Sequence, residues 1–325
     1  MASPPHERGE RRWVERVPGG AGGLDGPPPP LRPLAEHLAF AVAVVDKPAG
    51  LSSHDVVNSV RGLFDTRKAG HGGTLDPNAT GVLPVFLGAA TRLSSMLLEV
   101  GKEYVAEARL HGDVARQDLE AALGRFRGEI MQLPPIRSRV KREWRPRSIY
   151  ELEVLALEGR AARLRVSCEA GTYVRKLVHD LGQALRCGAH MEGLRRSRAG
   201  IFRIEQAASL EVLADAARKA RTGDEAALRR FVLSAEVLSC LLPRMVADAG
   251  ALGAIASGIP LRVPGVLAYE APFEEGEELA LLSPAGAWVA TGTAGMPSEA
   301  LASAEKGTAA KIKKVFTQKA TQPRA

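Results

Sequence analysis

The sequence predicts a two-domain protein: a larger domain of mixed α and β structure, followed by a small β-barrel. Three observations predict it. Tyr150 to Leu157 and Ala161 to Cys168 alternate apolar and polar residues around Glu158-Gly159-Arg160, the pattern of a β-hairpin. Directly afterwards, Val174, Leu177, Val178, Leu181 and Leu185 recur at helical spacing. Beyond Leu242-Pro243 the texture changes to short runs broken by Gly and Pro, among them Arg262-Val263-Pro264-Gly265, Glu278 to Ser283 and Ala287 to Thr293. A length of 325 residues suits two domains.

The elements follow in order. Residues 1–36 are rich in Pro, Gly and Arg, with the run Pro27 to Pro30, and bury little; they are expected to form an extended or partly disordered arm. Phe40 to Val45 reads as a buried strand that ends at the turn Asp46-Lys47-Pro48-Ala49-Gly50. Ser52 or Ser53 can cap a helix whose apolar face is Val56, Val60, Leu63 and Phe64. Gly70 to Gly81 is a glycine-studded loop, and Tyr104 to Leu110 is strand-like. In the hairpin, Leu164, Val166 and Cys168 take one face and Arg163, Arg165 and Ser167 the other. Two Ala- and Leu-rich helices are expected near 207–220 and 224–240. The expected domains are the arm 1–36, a main domain 37–241, a barrel 242–316 and a frayed tail 317–325.

Composition narrows the partners. Forty-four Lys and Arg against 37 Asp and Glu give a net charge of +7, which favours a polyanion, most commonly nucleic acid. The longest apolar run, Leu38 to Val45, is too short to span a membrane, and the N-terminus lacks a signal-like apolar centre. A cytoplasmic protein without a membrane partner is expected. Cys168, Cys187 and Cys240 are widely spaced, which argues against a disulfide framework or a cysteine zinc site; buried thiols in a reducing compartment are expected. The seven histidines form no metal constellation, and no stretch reads as a helix-turn-helix or zinc finger for DNA.

Three segments could carry chemistry. Lys68-Ala69-Gly70-His71-Gly72-Gly73-Thr74-Leu75-Asp76-Pro77 sets an aspartate on a loop whose glycines permit close approach of a ligand. Asp76 there is a nucleophile, a general base or part of an ordinary Asp-Pro turn, and local sequence leaves all three open. In Glu169-Ala170-Gly171-Thr172-Tyr173-Val174-Arg175, Tyr173 is a base-stacking ring or a core aromatic. Arg175 is a partner for a carboxylate or phosphate, or a solvated helix charge. Arg137 to Arg147 holds six Arg or Lys in eleven residues with Trp144 among them, the composition of an RNA-contact surface; Lys141, Arg142, Arg145 and Arg147 are the candidate contacts. A second basic run is Arg195-Arg196-Ser197-Arg198.

Together the motifs go further than any one of them. Ala69 to Val85 (AGHGGTLDPNATGVLPV) closely resembles the catalytic motif of the TruB/dyskerin family of RNA pseudouridine synthases. Val45-Asp46-Lys47-Pro48 with Gly50 and Ser53-His54 resembles the family's opening motif, and Gly101-Lys102-Glu103-Tyr104 its KxY motif. Glu169 to Arg175 resembles the GTYIR segment, with Val174 in place of Ile. Gly188-Ala189-His190-Met191 and Leu194 to Gly200 resemble the closing motif. The C-terminal part is similar to a PUA domain, through Gly258, Val263-Pro264-Gly265-Val266, Gly276-Glu277-Glu278, Ala290 to Ala294 and Lys306-Gly307; Glu277-Glu278 departs from the family's usual Gly-Asp. The continuous stretch Tyr104 to Arg147 and the lack of Lys-rich tails resemble the archaeal branch, which supplies the catalytic subunit of the H/ACA guide-RNA particle.

The resemblance implies an α+β pseudouridine synthase fold, a mixed and largely antiparallel sheet with flanking helices, plus an RNA-binding PUA barrel. It implies an enzyme that converts uridine to pseudouridine in the T-loop of tRNA, in rRNA under a guide RNA, or both. The alternative is a non-catalytic RNA-binding scaffold. No cofactor is expected, because the isomerisation is not a redox reaction. Asp76 is implied as the catalytic aspartate and Arg175 as the partner that keeps it ionised. Tyr104 is implied to stack on the flipped uracil, Tyr173 and Leu194 to wall the pocket, His71 to lie near the displaced nucleotide and Lys47 to support the site. The implied protein partners are a small zinc-ribbon protein, a relative of the glycine-arginine-rich nucleolar protein and an L7-type kink-turn protein.

Overall fold

The computed structural model describes residues 11–20, 32–134 and 141–316. In chain order the elements begin with β1 (Arg12–Glu15), α1 (Leu34–Ala39), β2 (Phe40–Lys47), α2 (Ser53–Leu63), β3 (Ala69–His71) and β4 (Thr80–Gly88). Next come α3 (Met96–Glu99), β5 (Lys102–Leu110), α4 (Arg116–Gly124), β6 (Gly128–Gln132), β7 (Arg145–Glu158), β8 (Ala161–Cys168) and α5 (Val174–Ala184). Then follow β9 (Ala189–Ala199), β10 (Phe202–Arg203), α6 (Leu210–Arg221), α7 (Ala226–Phe231), β11 (Val232–Ser234), β12 (Arg244–Ala247) and α8 (Leu252–Ala256). The chain ends with β13 (Leu261–Arg262), β14 (Val266–Ala271), β15 (Glu278–Leu282), β16 (Trp288–Ala294), α9 (Ser298–Ser303) and β17 (Thr308–Val315). Among the described residues, one compact unit is Ala41–Leu233 and the other joins 11–20 and 32–40 to 234–316. No helix among them is long and apolar enough to cross a membrane.

The first unit is built on a ten-stranded sheet in the order β11-β2-β4-β9-β5-β8-β7-β6, with β10 added to β9 and β3 to β4. β5 is antiparallel to β8 and β9, and β7 to β6 and β8. β4 and β9 run parallel, through Thr80↔Arg195 and Gly81↔Arg196. This is the mixed, largely antiparallel sheet that the resemblance implied. β2 lies between two strands, and Phe40 to Val45 are all buried, which is why its sequence is an unbroken apolar run.

Two helices show how local signals act. α2 starts at a capping box: the Ser52 hydroxyl accepts from the Asp55 N–H at 3.1 Å, and the Asp55 carboxylate accepts from the Ser52 N–H at 2.9 Å. Such a cap stabilises a helix by about 1 kcal/mol. α5 buries Val174, Leu177, Val178 and Leu181 against Ala106, Ala108, Leu110, Leu164 and Val166 of the sheet. Each large apolar side chain contributes about 1.5–3 kcal/mol relative to exposure.

Three expectations are corrected. The helix near 224–240 is only Ala226–Phe231; Val232–Ser234 then becomes a strand beside β2, because sheet pairing there outweighs helix propensity. The loop from Gly70 to Gly81 is strand at both ends, since β3 reaches His71 and β4 starts at Thr80. Cys240 is exposed, whereas Cys168 is buried. Ser167, on the hairpin face opposite Leu164, Val166 and Cys168, is buried, with Arg198 Nη2 of β9 donating to its hydroxyl at 3.2 Å.

The second unit is a seven-stranded sheet in the order β1-β14-β12-β15-β16-β17-β13, antiparallel except between β12 and β15. Its core includes Met245, Ile255, Leu261, Val263, Tyr269, Phe273, Leu279, Leu281 and Leu301. Part of the predicted arm is ordered here: β1 pairs with β14 from Arg12↔Ala271 to Glu15↔Ala268. The Trp13 ring lies 5.1 Å from the Arg244 guanidinium, which pairs with Glu270 at 2.5 Å. Arg16 donates to the carbonyls of Leu301 and Ala304 at the end of α9. The rest of the arm, 1–10 and 21–31, and the tail 317–325 lie outside the described residues.

Close packing predicts opposite outcomes for two glycines of the first unit. A Cβ at Gly182 would stand 2.1 Å from the Ala189 nitrogen, whereas one at Gly62 meets nothing within 4 Å. Gly182→Ala is expected to destabilise by about 2–3 kcal/mol or more. Gly62→Ala is expected to stabilise by about 0.5–1 kcal/mol. Urea midpoints of the two variants check this.

Candidate active site

The loop between β3 and β4 carries Asp76, and its backbone is held residue by residue. The Gly72 N–H donates to the Pro84 carbonyl at 3.0 Å. The guanidinium of Arg196 donates to the carbonyls of Gly73 (3.1 Å), Thr74 (3.4 Å) and Val82 (2.8 Å). The Ser53 hydroxyl accepts from the Leu75 N–H at 2.9 Å and donates to the Leu75 carbonyl at 3.0 Å. The Lys47 ammonium donates to Pro48 (2.9 Å), Pro77 (2.8 Å) and Ala79 (2.7 Å). Lys47 is 0% exposed and Arg196 1%. Burial pushes the Lys47 ammonium down, with Asp76 acting the other way and Arg196 adding to the fall.

Asp76 itself stays open. Its carboxylate receives the Arg175 guanidinium at 2.6 Å, and the side chains are 59% and 63% exposed. The position of Arg175 is set by the start of α5. Tyr173 precedes that helix, and Gln132 clamps its backbone from both sides: Oε1 accepts from the Tyr173 N–H at 3.0 Å and Nε2 donates to its carbonyl at 3.3 Å. Glu169 fixes the preceding turn, its N–H on the Ser148 carbonyl (2.8 Å) and its carboxylate on the Ser148 N–H (3.0 Å).

Tyr104 lies within electrostatic reach of Asp76. On β5 it faces Val166 of β8 and Arg196 of β9, and it is half-buried. Burial raises its phenol pKa, and the Arg196 charge opposes this. Leu194 sits two residues before Arg196 on β9, half-buried against the core under α5. His71 is at the end of β3, where its Nδ1 accepts from the Gly73 N–H at 3.3 Å. Burial lowers its pKa, and Arg196 and His54 lower it further, so the imidazole is neutral at physiological pH.

The structure therefore brings Asp76 and Arg175 into contact, with Lys47 and Tyr104 in electrostatic range of Asp76. Arg147 reaches the same neighbourhood: it lies 3.7 Å from Glu169, and its Nη2 is 3.2 Å from where a Gly171 Cβ would be. Lys141 pairs with Glu143, while Arg142 and Trp144 are exposed and Arg145 is half-buried. Residues 137–140 of that basic run lie outside the described residues. Among the described residues no His, Cys, Asp and Glu cluster fits a metal.

Sequence reasoning missed the bracing roles of Ser53, Arg196 and Gln132. Ser52 is the helix cap, which frees the neighbouring Ser53 to bridge the loop; two adjacent serines before a helix were the available signal. Arg196 was hidden in a basic run, though strand alternation makes it face inward when Arg195 faces out. Gln132 carried no sequence signal. Ser53→Ala leaves both polar groups of buried Leu75 unpaired and is expected to cost about 1–3 kcal/mol. Thermal denaturation measures the loss, and an unchanged melting midpoint would contradict the bridge.

Comparisons with known proteins agree with this geometry. Residues 61–174 match the TruB family pseudouridylate synthase N-terminal domain, 175–239 the tRNA pseudouridylate synthase B C-terminal domain, and 243–316 the PUA domain. The chain is 43% identical over 301 residues to a probable tRNA pseudouridine synthase B of Methanopyrus kandleri, covering 92% of this chain and 89% of that one. It is 41% identical over 300 residues to a protein of the same description from Methanothermobacter thermautotrophicus, covering 92% and 93%. Its structure resembles that of a Cbf5-Nop10-Gar1 complex, with a TM-score of 0.89, 39% identity and 99% of each chain covered. It also resembles an H/ACA RNP bound to a substrate RNA containing 2'-deoxyuridine, with a TM-score of 0.88, 38% identity and 98% of each covered. A braced aspartate loop, an arginine on it and relatives alike over nine-tenths of the chain lead to one conclusion: the protein belongs to the TruB family of RNA pseudouridine synthases and carries a C-terminal PUA domain.

Proposed function

We propose that Asp76 is the catalytic group of uridine isomerisation, acting on a uridine turned out of its RNA stack. One observation carries the assignment: the Asp76 carboxylate sits on a braced glycine loop, oriented by Arg175 at 2.6 Å yet open to solvent. The reaction breaks the bond from uracil N1 to ribose C1′ and forms one from C5 to C1′; C5 gives up its proton and N1 takes one up, so the product is an isomer. In this assignment Tyr104 stacks on the flipped base, and Tyr173 and Leu194 close the walls. Neutral His71 lies beside the displaced nucleotide. Lys47 holds the carbonyls of Pro77 and Ala79, so the carboxylate does not drift. Turning a base out of its stack costs a few kcal/mol, which stacking and phosphate contacts offset.

RNA contacts are assigned to the barrel, 242–316, and to Lys141, Arg142, Arg145 and Arg147. Likeness across the whole chain to a Cbf5-Nop10-Gar1 complex and to an H/ACA RNP supports an assembly of the same kind, with a guide RNA and accessory proteins. The names of the curated relatives support tRNA as a further substrate.

Tritium release from [5-³H]uridine-labelled RNA tests the site. Asp76→Asn is expected to keep RNA affinity within about threefold while turnover vanishes, because the loss falls on the transition state alone. Full activity of that variant would refute the assignment. Release from tRNA by the protein alone would make it a stand-alone synthase. Release from rRNA only with guide RNA and partners would make it the catalytic subunit of a ribonucleoprotein.

A further inference from the structure

Lys102 has no part in the chemistry assigned above, yet its side chain is buried. Its ammonium donates to the carbonyls of Leu97 (2.8 Å), Leu98 (3.0 Å) and Val100 (2.6 Å). These carbonyls close the C-terminal end of α3, a four-residue helix too short to persist unaided. α3 in turn bears on the catalytic loop. A Cβ at Gly72 would stand 2.9 Å from Leu97 Cβ and Cδ1, and one at Gly73 would stand 4.0 Å from Leu98 Cδ2. Lys102 also belongs to β5, where Tyr104 follows two residues later on the same face. A single ammonium thus ties the support beneath the Asp76 loop to the strand that carries the stacking ring.

We infer that Lys102 is a positioning residue for the isomerisation: it sets the gap between the Asp76 loop and Tyr104, and so the width of the uracil pocket. The inference rests on the roles proposed for Asp76 and Tyr104.

The surroundings of Lys102 make it testable by pH. It is faced by Arg196 from β9 and Cys168 from β8, with Tyr104 on its own strand, while Glu99 of α3 is exposed. Burial pushes the Lys102 ammonium down to about 8, Arg196 adding to the fall and Cys168 opposing it. Burial pushes the Cys168 thiol up to about 12 and also raises the Tyr104 phenol. Lys102 is therefore the member of this cluster that loses its proton near pH 8. A neutral amine has two N–H groups for three carbonyls, so one tie is lost.

The experiment is single-turnover tritium release by the full chain, with its RNA substrate, between about pH 7 and 9. The wild-type rate is expected to fall with a midpoint near 8. Lys102→Met is expected to bind RNA within about threefold of wild type, to react about tenfold more slowly at pH 7, and to lack the alkaline fall. Stability moves the other way. The folded pKa lies below the ordinary 10.5, so from about 8 to 10.5 the unfolded chain holds more protons, and this lysine's contribution to stability rises with pH. A purely structural role would move rate and stability together. Leu97→Ala, which loosens α3 without removing the charge, is expected to slow turnover and keep the alkaline fall. A folded Lys102→Met as fast as wild type, or one that retains the alkaline fall, would overturn the inference. Should Lys102→Met fail to fold, a wild-type rate that stays flat through pH 8 would overturn it, and a fall there with a slow Leu97→Ala would support it. Asp76→Asn runs beside them. If it is fully active, the site assignment fails; if it is inactive while Lys102→Met is unimpaired, only the role of Lys102 fails.

Discussion

The site depends on cations buried among backbone carbonyls. Lys47, Lys102 and Arg196 each direct their donors at three carbonyl oxygens. A buried charge left uncompensated costs several kcal/mol, so each cation, while charged, is met by carbonyl oxygens. The demand runs both ways. The carbonyls of Gly73, Thr74, Pro77 and Ala79 point inward because the cations are there, and this fixes the loop between them. Carbonyl dipoles stabilise a cation without cancelling it. The loop therefore presents Asp76 above net positive charge, which a buried carboxylate partner would have removed.

This arrangement needs the backbone to come close, and glycine supplies the room. At Gly81, with φ of +103°, a Cβ would stand 2.2 Å from the Arg196 carbonyl. That contact lies at the two-residue parallel pairing of β4 and β9. Without it, Arg196 could not reach the Gly73 and Thr74 carbonyls across the same strand. Pro84 fits the same logic. It falls between the β4 residues paired to β9 and those paired to β3, and its carbonyl receives the Gly72 N–H.

Much of this was legible in the sequence, and the exceptions share a cause. The strand at Phe40 to Val45, the hairpin, the cap at Ser52 and the face of α5 all follow from periodicity within a few residues. Asp76, Arg175 and Tyr104 came from a motif rather than from physics, since each residue alone admitted an ordinary explanation. What stayed hidden was decided by distant partners. β1 is four residues with two apolar side chains, and only its pairing with β14 near the other end of the chain makes it a strand. β11 reads as helix until β2 claims it. Arg196 reads as surface charge until alternation along β9 turns it inward. A charged residue in a basic run is informative only once its strand phase is known.

The contrast between buried and open charge separates structure from chemistry at this site. Exposed ion pairs contribute little to stability, because water already solvates both partners. Asp76 and Arg175 are more than half exposed, so folding gives little reason for their contact. Lys47, Lys102 and Arg196 are the reverse: none is open to a substrate, and each is bound into the backbone. The division follows from what each task demands. A group that must meet a nucleotide has to remain accessible, and its orientation then has to come from rigid neighbours rather than from its own burial. The cation-filled layer beneath the loop supplies that rigidity, and Arg175, at the start of a helix clamped by Gln132, supplies the orientation from above.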